Sequence, residues 1–313
     1  MFNAIFVPSV RETEWVREML PGISPAELPV AGKRFIDYAF ERVQKLGVKF
    51  TEVLDWHFSE DLSRDFGDIT RTGSPVFYMK GGTDGGGVPN GLDDLKKMVT
   101  PLTSQMADGL VVMWGLVLAS HIPSDIRLAP VTEEECANTP PGLYRREGGR
   151  WMRILPHGIV VHNIVSWHRL NLAVMRNRTK FTLPGYSSEP DVHLGRNVVL
   201  EHGTNVKAPV LLQDNSWCAR NVRLDGDVIV GKGSFIGEGA CLKRTVIGDD
   251  TYVGIGLELT DKIVVGRRIF DGITNDWTDV EEPGLARPID ALGMRWLHRL
   301  WKFLLGASRG RRR

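Results

Sequence analysis

Six glycines within residues 81–91, GGTDGGGVPNG, form the first pattern with candidate chemistry. Glycine carries no side chain, so backbone N–H groups in such a run can approach a bound ligand closely. The candidate binding residues are Gly81, Gly82, Thr83, Gly85 and Gly86. The same composition also suits a flexible surface loop, and the sequence alone leaves both interpretations open.

Residues 294–306, MRWLHRLWKFLLG, have the pattern of a short amphipathic helix. Tryptophan and leucine fall on one broad helical face, while arginine and lysine lie beside or opposite it. A basic helix of this kind suits the membrane–water interface and anionic lipid. The residues predicted to contact the membrane are Trp296, Leu300, Trp301, Leu304, Arg295, Arg299 and Lys302. The alternative is a helix that packs on the protein's own body with its arginines in solvent.

Between these two candidates lies a six-residue repeat of apolar, mostly aliphatic side chains, from residue 194 to residue 259. The repeating positions are Leu194, Leu200, Val206, Leu212, Cys218, Leu224, Val230, Ile236, Leu242, Ile247, Val253 and Leu259. One residue is missing after Leu242, and the period then resumes. A period of six fits a triangular coil that places one inward aliphatic residue on each face. The sequence therefore predicts a left-handed parallel β-helix of about four coils.

His193 and His202 lie off the apolar positions of this repeat, so both are predicted to face outward. The repeat resembles that of hexapeptide acyltransferases, which act on sugars, hold acyl-CoA between coils and use a histidine as general base. His202 is the first candidate for that role, with acyl-CoA as the implied cofactor. Four coils without a long inserted loop favour the alternative, in which both histidines are solvated turn residues and the β-helix assembles homo-oligomers.

The distribution of charge argues against a nucleic-acid-binding protein. The chain has 313 residues, enough for two domains, and a net charge of +1. From Arg287 onward eight Arg or Lys stand against one Asp, a surplus of +7, so the rest carries +1 − 7 = −6. The basic character belongs to the tail, and no nucleic-acid partner is predicted.

The first residues and the cysteine pattern predict a cytoplasmic protein. No apolar run is long enough for a membrane span, and the first residues lack the basic region of a signal peptide. Three scattered cysteines without a Cys-x-x-Cys pair fit a reducing compartment, and no metal site is predicted from them.

Strand-like and helix-like segments alternate through the first 180 residues. Strands are predicted at 2–8, 48–54, 75–80 and 108–119, and helices at 34–47 and 92–106. Short links between such elements imply a mostly parallel, helix-covered sheet. Residues 143–155 add an edge hairpin, and 166–177 form a helix that leads into the β-helix.

An α/β domain followed by a hexapeptide β-helix resembles the sugar-phosphate nucleotidyltransferases for glucose, mannose and N-acetylglucosamine 1-phosphates. Residues 28–48, LPVAGKRFIDYAFERVQKLGV, are similar to the family's P-V-x-x-K-P segment. The resemblance implies that Lys33 faces a phosphate and that Arg34, in place of the usual proline, assists. Residues 81–98 are similar to the L-G-T-A-G loop, which implies that the glycine run lines a base and sugar pocket. The alternative for Lys33 is a surface lysine at a helix start.

Two departures from the family pattern concern the reaction centre. After the first strand the family has a glycine-rich loop that cradles the triphosphate, whereas this chain has PSVRETEWVREMLPGISPAE. Val10 and Glu12 are among the residues that replace those glycines. Residues 108–118, DGLVVMWGLVL, are similar to a family strand that ends in Gly-Asp, and Leu116 stands at the position of that metal-binding aspartate. Loss of that ligand removes the Mg²⁺ that neutralises charge in phosphoryl transfer.

The predicted architecture is a Rossmann-like α/β nucleotidyltransferase domain at 1–183, a left-handed parallel β-helix at 190–270, a connector at 271–293 and a basic amphipathic helix at 294–313. The expected function is a nucleotide-sugar-binding or scaffolding subunit of cell-surface polysaccharide biosynthesis, with catalysis lost or weakened. It would be cytoplasmic, oligomeric and peripheral at the inner face of the membrane. The alternatives are an active, Mg²⁺-dependent sugar-1-phosphate nucleotidyltransferase and an acyl-CoA-dependent sugar acyltransferase.

Overall fold

The structure is a computed structural model, and it divides after Thr182 into two compact units. It describes residues 2–8, 10–45, 48–55, 76–80, 90–98, 109–118, 127–155, 158–176 and 181–289. The candidate residues Gly81, Gly82, Thr83, Gly85 and Gly86 lie outside the described residues, as do all seven candidate membrane contacts of the tail. None of the described helices is long and apolar enough to cross a membrane.

The N-terminal unit is built on a seven-stranded mixed sheet. Its strands are β1 (Phe2–Val7), β2 (Val48–Asp55), β3 (Val76–Lys80), β4 (Val111–Trp114), β5 (Arg127–Pro130), β6 (Gly142–Glu147) and β7 (Arg150–Leu155). The spatial order is β3-β2-β1-β4-β6-β7-β5. The first four neighbours pair in parallel, and the last three are joined by antiparallel pairs.

The antiparallel half makes the sheet more mixed than the sequence predicts. β6 and β7 form a hairpin across Gly148 and Gly149, both with positive φ (56° and 75°). A two-residue turn of this kind returns the chain at once, so the strands must pair antiparallel. The hairpin predicted at 143–155 is present, but it is not at the edge of the sheet, because β5 pairs with the outer side of β7.

Helices cover both faces of this sheet. They are α1 (Glu14–Met19), α2 (Phe35–Lys45), α3 (Leu92–Met98), α4 (Glu133–Ala137) and α5 (Ile164–Met175), with 3-10 turns at Arg11–Thr13 and Pro25–Glu27. On one face Phe35 of α2 stacks on Phe6, with ring centroids 6.2 Å apart. On the other, Leu92 and Leu95 of α3 join a buried cluster with Leu54. Short strands at Pro29–Val30, Lys33–Arg34, Val117–Leu118 and Ile159–Val160 complete the unit.

The C-terminal unit is a β-solenoid of about four coils with three sheets. The first sheet stacks Val192–Leu194, Val210–Leu212, Val228–Val230, Val246–Ile247 and Lys262–Val265. The second stacks Val199–Leu200, Trp217–Cys218, Phe235–Ile236 and Thr251–Val253; the third stacks Asn205–Lys207, Arg223–Asp225, Cys241–Lys243 and Glu258–Thr260. The hand of the coil stays a prediction.

Strand register explains the residue missing from the repeat. In the third sheet Asn205 pairs with Arg223 and Arg223 with Cys241, 18 residues apart, whereas Cys241 pairs with Glu258 after 17. The corner after Leu242 is therefore one residue shorter. There Arg244 has a positive φ of 45°, and its Nε and Nη2 contact the two carboxylate oxygens of Asp261 at 2.6 and 2.5 Å.

The repeating apolar residues fill the solenoid interior, with one exception at its start. Residues of the later coils such as Leu224, Val230 and Leu242 are buried in one cluster. Leu200, in the first coil, is 41% exposed. Its strand is at the edge of the second sheet, so no described strand of that sheet lies above it.

Further strands extend the solenoid sheets. Tyr186–Glu189 pairs with the first sheet at one edge, and Arg268–Asp271 and Trp277–Asp279 continue it at the other. Ala286–Pro288 pairs antiparallel with the second sheet. Two of these strands lie within residues 271–293, where the sequence predicts a connector, because their pairing depends on an edge that the solenoid supplies.

Candidate functional site

The parallel half of the N-terminal sheet creates a topological switch point between β1 and β4. Numbered among themselves, the four parallel strands have the order 3-2-1-4, so chain connections leave β1 and β4 in opposite directions. In open α/β sheets ligands bind at the carboxyl ends of the strands at this point. Val7 pairs with Trp114, and the Gly115 N–H donates to the Val7 carbonyl oxygen at 2.9 Å. The segments after Val7 and Trp114 are therefore neighbours.

In the turn that follows β1, the polar groups form hydrogen bonds with one another. The Val10 N–H donates to the Thr13 hydroxyl at 2.9 Å, and the Thr13 N–H donates to the Val10 carbonyl oxygen at 2.9 Å. The Thr13 hydroxyl shares its hydrogen between the carbonyl oxygens of Pro8 and Val10, at 2.9 and 2.8 Å. Val10 and Thr13 are buried. An anion at this turn would have to displace internal bonds before it reached either N–H group.

The segment that follows β4 packs closely against apolar side chains. Gly115 has φ +73°, and a Cβ placed there would lie 3.2 Å from Val10 Cγ2 and 3.1 Å from Pro141 Cβ. Leu116 is fully buried. No group of three or more His, Cys, Asp or Glu that could hold a metal occurs within the described ranges.

Lys33 and Arg34 lie at the same edge of the sheet. Because β1 and β2 are parallel, α2 between them must run the opposite way, so its first residue is at the carboxyl ends of the strands. Lys33 Nζ contacts Glu41 Oε1 at 2.7 Å, and its side chain is only 10% exposed. The Arg34 N–H donates to Asp37 Oδ2 at 3.2 Å, and Arg34 Nε lies 3.7 Å from the same oxygen. Phosphate contact by these two residues stays a prediction.

Two buried acidic residues of β2 are not among the candidates that the sequence predicts. Asp55, the last residue of β2, is fully buried and accepts a hydrogen bond from the Ser24 hydroxyl at 3.1 Å. Its signal in the sequence is a lone carboxylate at the end of the apolar run VL. Glu52 lies three residues earlier and is 4% exposed. Among the described residues, Glu52 Oε2 has no hydrogen-bond partner, and burial raises the pKa of this carboxyl to about 7.

Stability of the N-terminal unit is expected to fall as the pH rises from about 4.5 to 7, and Glu52→Gln should remove that fall. The folded state binds the Glu52 proton more tightly than the unfolded state, because its pKa is raised from 4.5 to about 7. The stabilising contribution of protonated Glu52 is therefore fully present below pH 4.5 and is lost as Glu52 ionises in the folded state. Across this pH range the free energy of unfolding should fall by roughly 3 kcal/mol. Urea unfolding at pH 5 and pH 8 measures it, and Glu18→Gln, at an exposed position of α1, is the control. An equal pH dependence in parent and Glu52→Gln would contradict the assignment.

The two solenoid histidines lie in different surroundings, and catalysis by His202 stays a prediction. His202 is exposed at the corner between the second and third sheets, where its carbonyl oxygen accepts from the Asn221 N–H at 3.1 Å. No described group bonds its imidazole. His193 is half-buried in the first sheet and pairs with Leu211. Asn215 and Asn221 have φ of 60° and 58°, left-handed conformations that asparagine tolerates at corners.

Comparison with known proteins finds a distant likeness. No family profile matches the chain. The chain is 25% identical over 132 residues to a UTP–glucose-1-phosphate uridylyltransferase of Synechocystis sp.. The match covers 42% of this chain and 31% of that enzyme, so the chain spans about a third of its length. The likeness supports a distant relation to the sugar-phosphate nucleotidyltransferases.

Proposed function

We propose that the N-terminal unit binds a nucleotide sugar or a sugar phosphate at the carboxyl edge of its sheet, and that its nucleotidyl transfer is lost or weakened. One observation supports this proposal: Val10 packs against Gly115 and Leu116 is fully buried at the switch point between β1 and β4, so neither offers a polar side chain to a triphosphate or a metal. The distant likeness to a UTP–glucose-1-phosphate uridylyltransferase supports the ligand class. The role is in sugar-nucleotide metabolism and, by resemblance, in cell-surface polysaccharide assembly.

The described residues do not fit Mg²⁺ at this edge. Mg²⁺ requires oxygen ligands in near-octahedral geometry. Leu116 offers no oxygen, and Asp55 is fully buried with one carboxylate oxygen bonded to Ser24.

Lys33 would bind the phosphate in place of its present partner, the carboxylate of Glu41. Its ammonium group is held by Glu41 and lies 5.0 Å from the centroid of the Tyr38 ring. The diphosphate of a nucleotide sugar, or the phosphate of a sugar 1-phosphate, carries up to two negative charges and accepts several hydrogen bonds, so it competes well for this ammonium. Arg34, whose side chain is 37% exposed, adds a second cation beside it.

Lys33→Ala is expected to weaken binding of a nucleotide sugar about tenfold, which matches the loss of one charged hydrogen bond. Titration calorimetry with UDP-glucose and with sugar 1-phosphates measures the dissociation constants. Arg17→Ala, at an exposed position of α1, is the matched control and should bind like the parent. Failure of the folded parent to bind any ligand of the panel would refute the proposed function.

The solenoid, proposed to be left-handed, would assemble homo-oligomers, and the tail would bring them to the inner face of the membrane. The tail proposal rests on sequence alone, because residues 294–313 lie outside the described part of the chain. Changing both Trp296 and Trp301 to Glu should release the protein from anionic liposomes, since it removes two interfacial anchors and adds two negative charges. Co-sedimentation with phosphatidylserine vesicles measures release. Equal sedimentation of variant and parent would contradict membrane contact.

A further inference from the structure

The hairpin that carries Lys33 turns through two residues, one of which is strained. Val30 pairs with Lys33, so the loop consists only of Ala31 and Gly32, whose φ angles are 38° and 82°. Positive φ at both positions defines a type I′ turn, which favours Asn-Gly. Gly32 fits this turn freely. Ala31 does not, because a left-handed conformation costs an L-residue free energy.

Three buried hydrogen bonds and one partly buried bond support this turn. The Ala31 N–H donates to Asn171 Oδ1 at 2.8 Å, and the Tyr38 hydroxyl donates to the Ala31 carbonyl oxygen at 3.2 Å. Asn171 Nδ2 donates to the Trp167 carbonyl oxygen at 2.9 Å, which fixes the amide of Asn171. Trp167 Nε1 donates to the Pro29 carbonyl oxygen at 2.7 Å. Both polar groups of Ala31 therefore have a partner on a neighbouring helix.

We propose that Asn171 is a positioning residue, which holds the Ala31–Gly32 turn so that Lys33 points at an anionic ligand. The inference rests on the proposed function for the identity of that ligand, a phosphate group of a nucleotide sugar. Strained backbone persists only where its surroundings determine it, and it concentrates at functional sites. The strand after the turn is only two residues long, so the turn sets the direction of Lys33. Asn171 on α5 is 140 residues from Ala31 in sequence and acts across the fold.

Lys33 labelling in the full-length protein tests this inference. The rate at which an amine-reactive acetylating reagent modifies Lys33, read by peptide mass spectrometry, reports how firmly the hairpin holds the side chain. Asn171→Ala should raise this rate about tenfold, the ratio expected when one buried hydrogen bond is lost. It should also weaken protection of Lys33 by UDP-glucose. Arg169→Ala, at an exposed position of the same helix, should label like the parent.

The rescue variant separates positioning from general destabilisation. Ala31→Gly accepts positive φ without strain, so the double variant Asn171→Ala/Ala31→Gly should return to within about twofold of the parent labelling rate. If Asn171 had only a structural role, Asn171→Ala would lower the melting temperature, but Lys33 would be labelled at the parent rate in both the single and the double variant. Unchanged labelling in Asn171→Ala, or no rescue by the added Ala31→Gly substitution in a folded protein, would overturn the inference.

Two further results keep the outcome unambiguous. If Asn171→Ala does not fold, Tyr38→Phe removes the second bond to Ala31 and should raise Lys33 labelling in the same way, and parent-like labelling would overturn the inference. If UDP-glucose and sugar 1-phosphates fail to protect Lys33 in the parent, the proposed function fails. The labelling rates of the free variants still decide whether Asn171 positions Lys33.

Discussion

The protein, supplied with Mg²⁺, nucleoside triphosphates and sugar 1-phosphates, is expected to release pyrophosphate at least about 10⁴-fold more slowly than an active nucleotidyltransferase. The physical reason is a double loss at one place in the fold. Nucleotidyl transfer needs donors for the triphosphate and a cation that spreads its developing charge. The switch point offers neither from its described residues.

Each loss is large by itself. The Val10 and Thr13 N–H groups are engaged inside their own turn, so they do not face an anion. Removing one preorganised donor of this kind lowers a rate by about 10² to 10³. Leu116, buried after β4, offers only a hydrocarbon side chain where the proposal expects a metal ligand to be missing. Without the metal the barrier rises by several kcal/mol more.

The measurement is a coupled pyrophosphate assay across a panel of nucleotides and sugar 1-phosphates. An active nucleotidyltransferase in the same buffer is the positive control. Leu116→Asp is expected to remain inactive, because the turn at Val10 still provides no donors. The new carboxylate would also be buried without a partner and would destabilise the unit. Turnover by the parent within tenfold of the control would show that other residues hold the metal, and the proposal of lost catalysis would be wrong.

The solenoid could be predicted from sequence because its rule is local and repeated. Each six-residue step asks only for one apolar residue, and the step from Leu242 to Ile247 revealed the short corner. The structure has the corresponding change in strand register from 18 to 17 residues. The same rule cannot report end effects. Leu200 follows the repeat but is 41% exposed, because its strand is the edge strand of the second sheet and no described strand of that sheet covers it.

Other parts of the fold depend on distant pairing that no local pattern records. The strands Trp277–Asp279 and Ala286–Pro288 are short and polar, and they form only because the solenoid offers edges to them. The candidate site behaves similarly. A motif made Lys33 a candidate, whereas a single asparagine inside a helix, such as Asn171, gives no sign of a partner 140 residues away.

Leu224→Ala is expected to lower the free energy of unfolding of the solenoid by about 3 kcal/mol, and Leu224→Asp by more than about 4 kcal/mol. Leu224 is fully buried in the third sheet, between Val206 in the coil before it and Leu242 in the coil after it. Alanine leaves a cavity that neighbouring rungs fixed by hydrogen bonds cannot close. Aspartate places a charge in the same column without a partner. Because each coil contacts only its neighbours, a defect in a middle coil separates the two halves of the stack.

Arg223 provides a control on the same strand. It is one residue away and faces outward, with its side chain 55% exposed and 3.6 Å from Glu258. An ion pair this exposed contributes little, so Arg223→Ala should change the stability by less than about 1 kcal/mol. Scanning calorimetry resolves the solenoid transition and gives both values. Equal effects at positions 223 and 224 would mean that the interior column does not carry the stability of the solenoid. A large effect at Leu224 alone would place that stability in the inward residues of the six-residue repeat.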